Sequence, residues 1–147
     1  MKRIIIGIAT AAVLVVWGGI AAATPSHGFV VKPLGSTTVD SLSIQPSGPS
    51  VALFVRVVQE PGGTSGWHSH PANAFVLVRE GSVRVWDGDT CTSTIYNKGE
   101  VFTEMPGHVH KASNAGDGQL RLLVTFVGLP PNTAPTTDEP NPCEDDD

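Results

Sequence analysis

The chain is short of charge, of cysteine and of long apolar periods, and each shortage excludes something. Only 16% of its 147 residues are charged, and 9 basic against 14 acidic residues give a formal net charge of −5. Nucleic-acid binding needs a basic patch or stripe, so that class of partner is set aside. No apolar run with helical spacing appears beyond the first two dozen residues, which argues against a helical bundle. A phosphate loop, a nucleophile elbow and a catalytic carboxylate pair are all missing, so no familiar enzyme motif stands out. The two cysteines, Cys91 and Cys143, belong to no CxxC or CxH pair, which weakens a thiolate metal site. A disulfide is the better reading in an exported chain. Closing a loop of that length would stabilise by about 4 kcal/mol in the chain-entropy model.

What is abundant is turn chemistry. Sixteen Gly and 12 Pro in a chain that fits one domain predict short strands joined by tight turns. Lys2 and Arg3 precede an uncharged apolar stretch over residues 4–20, followed by Ala21-Ala22-Ala23. That order predicts a signal peptide over 1–23, cleaved after Ala23, and hence a secreted or extracytoplasmic protein. The alternative is an uncleaved N-terminal anchor, the only route by which this chain would meet a membrane. Residues 24–50 are expected to form an arm and the first strands, and 51–129 a barrel. Residues 130–147, with Pro130, Pro131, Pro135, Pro140 and an acidic end, are expected to form a solvated tail with no element of its own.

Within 51–129 the pattern is β. Val51, Leu53, Val55 and Val57 alternate along one run, and Glu60-Pro61-Gly62-Gly63 ends it. Further runs lie at 75–78, 83–86, 92–96, 101–103, up to His110, and at 120–127. Glu80-Gly81, Asp87-Gly88-Asp89, Asn97-Lys98-Gly99, Pro106-Gly107 and 114–118 separate them. Short strands at near-regular spacing predict a sandwich or barrel.

Four of the five histidines fall in two HxH pairs, His68/His70 and His108/His110, each beside a glycine. Residues two apart on a strand face the same way, so imidazoles from two strands can surround a metal ion. His27 stands apart and carries no role. The arrangement resembles the cupin family. Gly62, His68, His70 and Gly81 follow the first cupin motif, and Gly99, Gly107, His110 and Asn114 the second, with Met105 at the proline position and Pro106 one place later. The chain is most similar to small exported single-domain cupins of actinobacteria, which carry comparable HSHP and GHVH segments and a late cysteine.

The resemblance implies an all-β, jelly-roll-like double-stranded β-helix, often a homodimer, with a divalent metal held by His68, His70 and His110. His108 is then a fourth ligand or a hydrogen-bonding neighbour. Ala74 occupies the family's glutamate position and has no donor atom. The expected site is therefore a neutral three-histidine set, similar to that of the thiol dioxygenases. Of the nearby carboxylates, Glu80 is assigned to the hairpin and Glu104 is a minor candidate for the metal. Neutral ligands leave the ion's charge intact, and a bound water could be acidified toward neutrality. Fe, Mn, Zn, Ni and Cu are not distinguished by this pattern. In the family register Ala74, Val76 and Val78 line the site, so its partner is expected to be a small, largely apolar molecule. An enzyme acting on that molecule and a non-enzymatic metal- or ligand-binding module both fit.

Overall fold

The computed structural model describes residues 32–39, 42, 44 and 48–143. The expected signal peptide and the acidic end from residue 144 lie outside these residues. The strands expected between 24 and 50 are not found among the described residues of that stretch. Nine strands follow: β1 Val51–Gln59, β2 Thr64–Ser69, β3 Asn73–Glu80, β4 Ser82–Asp87, β5 Ser93–Asn97, β6 Val101–Glu104, β7 His110–Asn114, β8 Leu120–Leu129 and β9 Thr137–Asp138. They form two antiparallel sheets, ordered β1-β8-β3-β6 and β5-β4-β7-β2-β9. The all-β jelly-roll expectation is met, and no helix occurs among the described residues.

Alternation decides what is buried. Leu53, Val55 and Val57 turn inward from β1, while Phe54 and Val58 stay exposed on this edge strand. In the same sheet, Ala74, Val76 and Val78 of β3 pack with Phe102 of β6 and with Leu120, Leu122, Val124 and Phe126 of β8. Val83 of β4 and Ala112 of β7 close the core from the second sheet. Ala74, Val76 and Val78 all face inward, as the family register implied.

One end of the sandwich is sealed by Asn114, the asparagine of the second motif. Its Nδ2 donates to the carbonyls of Gln59 (3.2 Å) and Gly118 (2.7 Å), and its Oδ1 accepts from Gly116 N (3.0 Å). That residue shapes a turn and is not part of the histidine cluster. The opposite end carries His68, His70 and His110.

The tail corrects the sequence expectation. Proline and charge do keep it from folding alone, but a sheet edge offers unpaired backbone groups that a short segment can complete. β9 pairs with β2 in the register His68↔Asp138 and Ser69↔Thr137. Ser69 Oγ donates to Glu139 Oε1 at 2.7 Å, and Glu139 N donates to Trp67 O at 2.9 Å. The Cys91–Cys143 disulfide fastens the far end of this strap, with Cα atoms 5.7 Å apart. Gly88 makes room for it, since a Cβ there would meet Val109 O at 2.6 Å and Pro142 Cγ at 3.0 Å.

Candidate metal centre

The first HxH pair is aimed by a bulge. Gly66 has φ +70°, a conformation glycine adopts without strain, and the β2–β7 register shifts between Thr64 and Trp67. The bulge brings Gly66 O to 3.0 Å from His68 Nδ1. The second pair repeats the contact to the carbonyl two residues back, with His110 Nδ1 3.0 Å from His108 O. His70, just beyond β2, reaches the tail instead, and its Nδ1 lies 2.7 Å from Pro135 O. A backbone bond from Gly107 N to His70 O, 2.8 Å long, ties the two motifs together.

These three contacts fix the tautomers. A carbonyl oxygen only accepts, so each Nδ1 carries the hydrogen and each Nε2 is left with its lone pair when the ring is neutral. The cluster is tight. Ring centroids are 4.4 Å apart for His68–His110, 4.8 Å for His68–His70 and 4.9 Å for His70–His110. One nitrogen from each lies within 4.8 Å of the others, and all three residues are buried. His68 and His110 are direct cross-strand partners, which accounts for their shared face. Phe126 packs edge-on against His70 at 5.0 Å.

Glu104 joins them, against the sequence expectation of a site without a carboxylate. Its Oε2 is 3.1 Å from His70 Nε2 and its Oε1 is 3.2 Å from His110 Nε2. The second separation is that of an ion pair. His110 Nε2 finds no aligned hydrogen-bond partner among the described residues although His110 is only 1% exposed. Burial would raise the Glu104 carboxyl, but His110 and His70 outweigh it and hold the group down at about 2. Burial likewise disfavours a charged His110, yet the attraction of Glu104 wins and its pKa is raised. His68 is lowered, chiefly by burial. Glu80 sits elsewhere, 3.4 Å from Arg121 Nε on the surface.

His108 is separated from this group. It precedes β7, is partly exposed, and points its Nε2 at Asp87 (3.2 Å) and Asp89 (3.5 Å). The reason is the Pro106-Gly107 turn, where Gly107 has φ +74° and strand alternation has not begun. His108 therefore meets the cluster through its carbonyl, with its ring stacked on that of His110 at 6.1 Å. Trp67 and Trp86 flank the Lys111 ammonium at 4.9 and 5.3 Å and offer the histidine cluster no ligand atom.

Two cavities of about 190 Å³ each meet at Glu104. One is lined by His68, His70 and apolar side chains including Val57, Val76, Val124 and Phe126. The other, beside His110 and His108, is bordered by Asp87, Thr92, Thr94 and Thr103. The donor set fits a divalent ion. Three lone pairs and a carboxylate converge in a buried space where, with neutral rings, nothing but a cation can satisfy them together. Imidazole and carboxylate ligands suit first-row transition metals, and each imidazole already has the outer hydrogen bond that such ligands use.

Residues 55–126 match the family described as Cupin domain. Among solved structures the chain is similar to a cupin-like protein of Thermotoga maritima. The two are 26% identical over 63% of this chain and 68% of that one, with a TM-score of 0.54. The polyketide cyclase RemF of Streptomyces resistomycificus is 21% identical, covering 66% of this chain and 68% of its own, with a TM-score of 0.52. An oxalate decarboxylase of Lactobacillus farciminis is 19% identical with a TM-score of 0.53, and 60% of this chain covers 27% of that one. The last two likenesses carry the fold alone. No curated protein matches the chain. Residues 55–126 thus match a cupin domain, and the two-sheet fold around them is similar to that of a solved cupin-like protein.

Proposed function

We propose that this is an exported cupin-domain protein that holds one divalent metal ion through His68, His70 and His110 and takes a small, largely apolar molecule beside it. The observation that carries the reading is the common orientation of the three rings. Every Nδ1 is tied to a backbone carbonyl, so every Nε2 faces into the cluster and, once unprotonated, can bind an ion. The Cys91–Cys143 bond favours an extracytoplasmic location, where disulfides persist. A bound ion would act as a Lewis acid toward whatever coordinates it. The chain's own residues orient the imidazoles, exclude water with Val76, Val124 and Phe126, and shape the cavity. Gln59 adds one polar contact. Its Nε2 is spent on Ala112 O at 3.2 Å, while its buried Oε1 has no partner among the described residues and can accept from a ligand's hydroxyl or N–H.

The lining also favours a second reading, a binding module without turnover. Beyond the histidines and Glu104, the apolar cavity offers no carboxylate, imidazole, thiol or amine to move a proton. Azide titrated into Co(II)-loaded protein tests whether the ion has an open position. A changed visible spectrum at saturating azide is expected, and a spectrum indifferent to azide would refute a ligand-accepting ion.

A further inference from the structure

Ala74 and Glu104 are direct partners in the antiparallel ladder between β3 and β6. Paired residues of adjacent strands project to the same face, with Cβ atoms about 4.5–5.5 Å apart. The missing donor at Ala74 therefore has a carboxylate immediately beside it, one strand over. Ala74 is fully buried, and its small side chain leaves space on that face. Glu104 is 8% exposed and has turned into this space, where no Lys or Arg among the described residues pairs with it. Its two oxygens approach His70 Nε2 and His110 Nε2, the atoms left to bind an ion, at 3.1 and 3.2 Å. Ligand atoms around an ion with bonds of about 2.1 Å stand about 3.0–3.4 Å apart, so both separations have the length of a coordination edge.

We infer that Glu104 is a fourth protein ligand of the metal, supplied from β6 in place of the absent carboxylate at Ala74. The inference rests on the three-histidine reading and adds a charge to it. The site becomes three neutral imidazoles and one anion, so a divalent ion keeps a net charge of +1 instead of +2. An oxygen ligand also moves the preference toward ions that accept mixed nitrogen and oxygen donors. The relocation has a steric condition. A larger residue at Ala74 would occupy the space into which Glu104 turns, so alanine here and glutamate opposite act as a matched pair.

The test is Co(II) and Zn(II) titration of the metal-free full chain, read by calorimetry and by the Co(II) visible spectrum. Glu104→Gln keeps the shape of the side chain and removes its charge. Losing an outer-sphere partner costs about 10–100-fold in affinity, so loss of a ligand should exceed about 100-fold and change the spectrum. A second variant moves the carboxylate back. Ala74→Glu combined with Glu104→Ala should regain affinity that Glu104→Ala alone has lost. An unchanged Co(II) spectrum in Glu104→Gln, whatever its affinity, would overturn the assignment of Glu104 as a ligand. A wild-type chain that binds neither ion would instead overturn the three-histidine reading beneath it.

Discussion

His108 and His110 are two residues apart, have the same strand parity and belong to one HxH motif, yet they live in different chemistry. His110 is buried, with Nδ1 on a carbonyl and Nε2 among two other imidazoles and one carboxylate. His108 is partly exposed, and its Nε2 faces Asp87 and Asp89. Slight burial would raise the Asp87 carboxyl, but hydrogen bonds from Thr90 and the charge of His108 bring it below its usual value. Both clusters gather donors within reach of an ion. Water can solvate the outer one at little cost, whereas the inner one is satisfied only by a proton or a metal. Burial, more than the motif, separates a candidate centre from a surface ion pair.

The largest effect expected from that contrast is loss of the ion. His110→Ala should abolish stoichiometric metal binding and the rise in melting temperature produced by added metal. Differential scanning calorimetry with and without Zn(II) measures both, and a variant still raised in Tm by Zn(II) would erase the distinction.

Next comes the strap. Reducing Cys91–Cys143 removes about 4 kcal/mol in the chain-entropy model and frees the segment whose Pro135 carbonyl holds His70. Cys143→Ser should therefore lower the Tm of the metal-free protein. It should also weaken metal binding by about tenfold, the lower end for an outer-sphere contact. Unchanged metal affinity in a variant with lowered Tm would show that the tail stabilises the fold without supporting the site.

Acid gives a smaller, graded effect. The Glu104 carboxyl is lowered from 4.5 to about 2, so its contribution to stability is complete above 4.5 and lost as pH falls toward 2. The wild-type metal-free protein should lose Tm across that range more steeply than Glu104→Gln. The pKa of His110 is raised above 6.5, so below 6.5 a metal must displace its proton, and affinity should fall with falling pH. Parallel Tm curves for the two proteins between pH 4.5 and 2 would contradict the pairing of Glu104 with His70 and His110. The smallest effect belongs to His108→Ala, which removes a partly exposed ion pair worth about 0–1 kcal/mol. It should leave metal affinity within a fewfold of wild type by calorimetry.

Much of this was legible from residue order. Alternation in β1, the glycine turns and the two HxH pairs foretold an all-β fold and a histidine cluster, because period and turn chemistry are local. What residue order could not provide was register across strands. Only the pairing of Ala74 with Glu104 brings a carboxylate to the histidines, and it joins residues 30 apart in the chain. The same holds for Pro135, whose carbonyl meets His70 only because β9 borrows the edge of β2. Composition marked the tail as unable to fold alone, and it does not. It folds onto an edge that composition does not describe.

The central claim is that the buried cluster, and not the exposed one, holds an ion. Elemental analysis of protein purified without affinity resin or chelator, alongside His110→Ala and His108→Ala, tests it most directly. About one first-row divalent ion per chain is predicted in the wild type and in His108→Ala, and none in His110→Ala. Metal retained by His110→Ala but lost from His108→Ala would contradict the account.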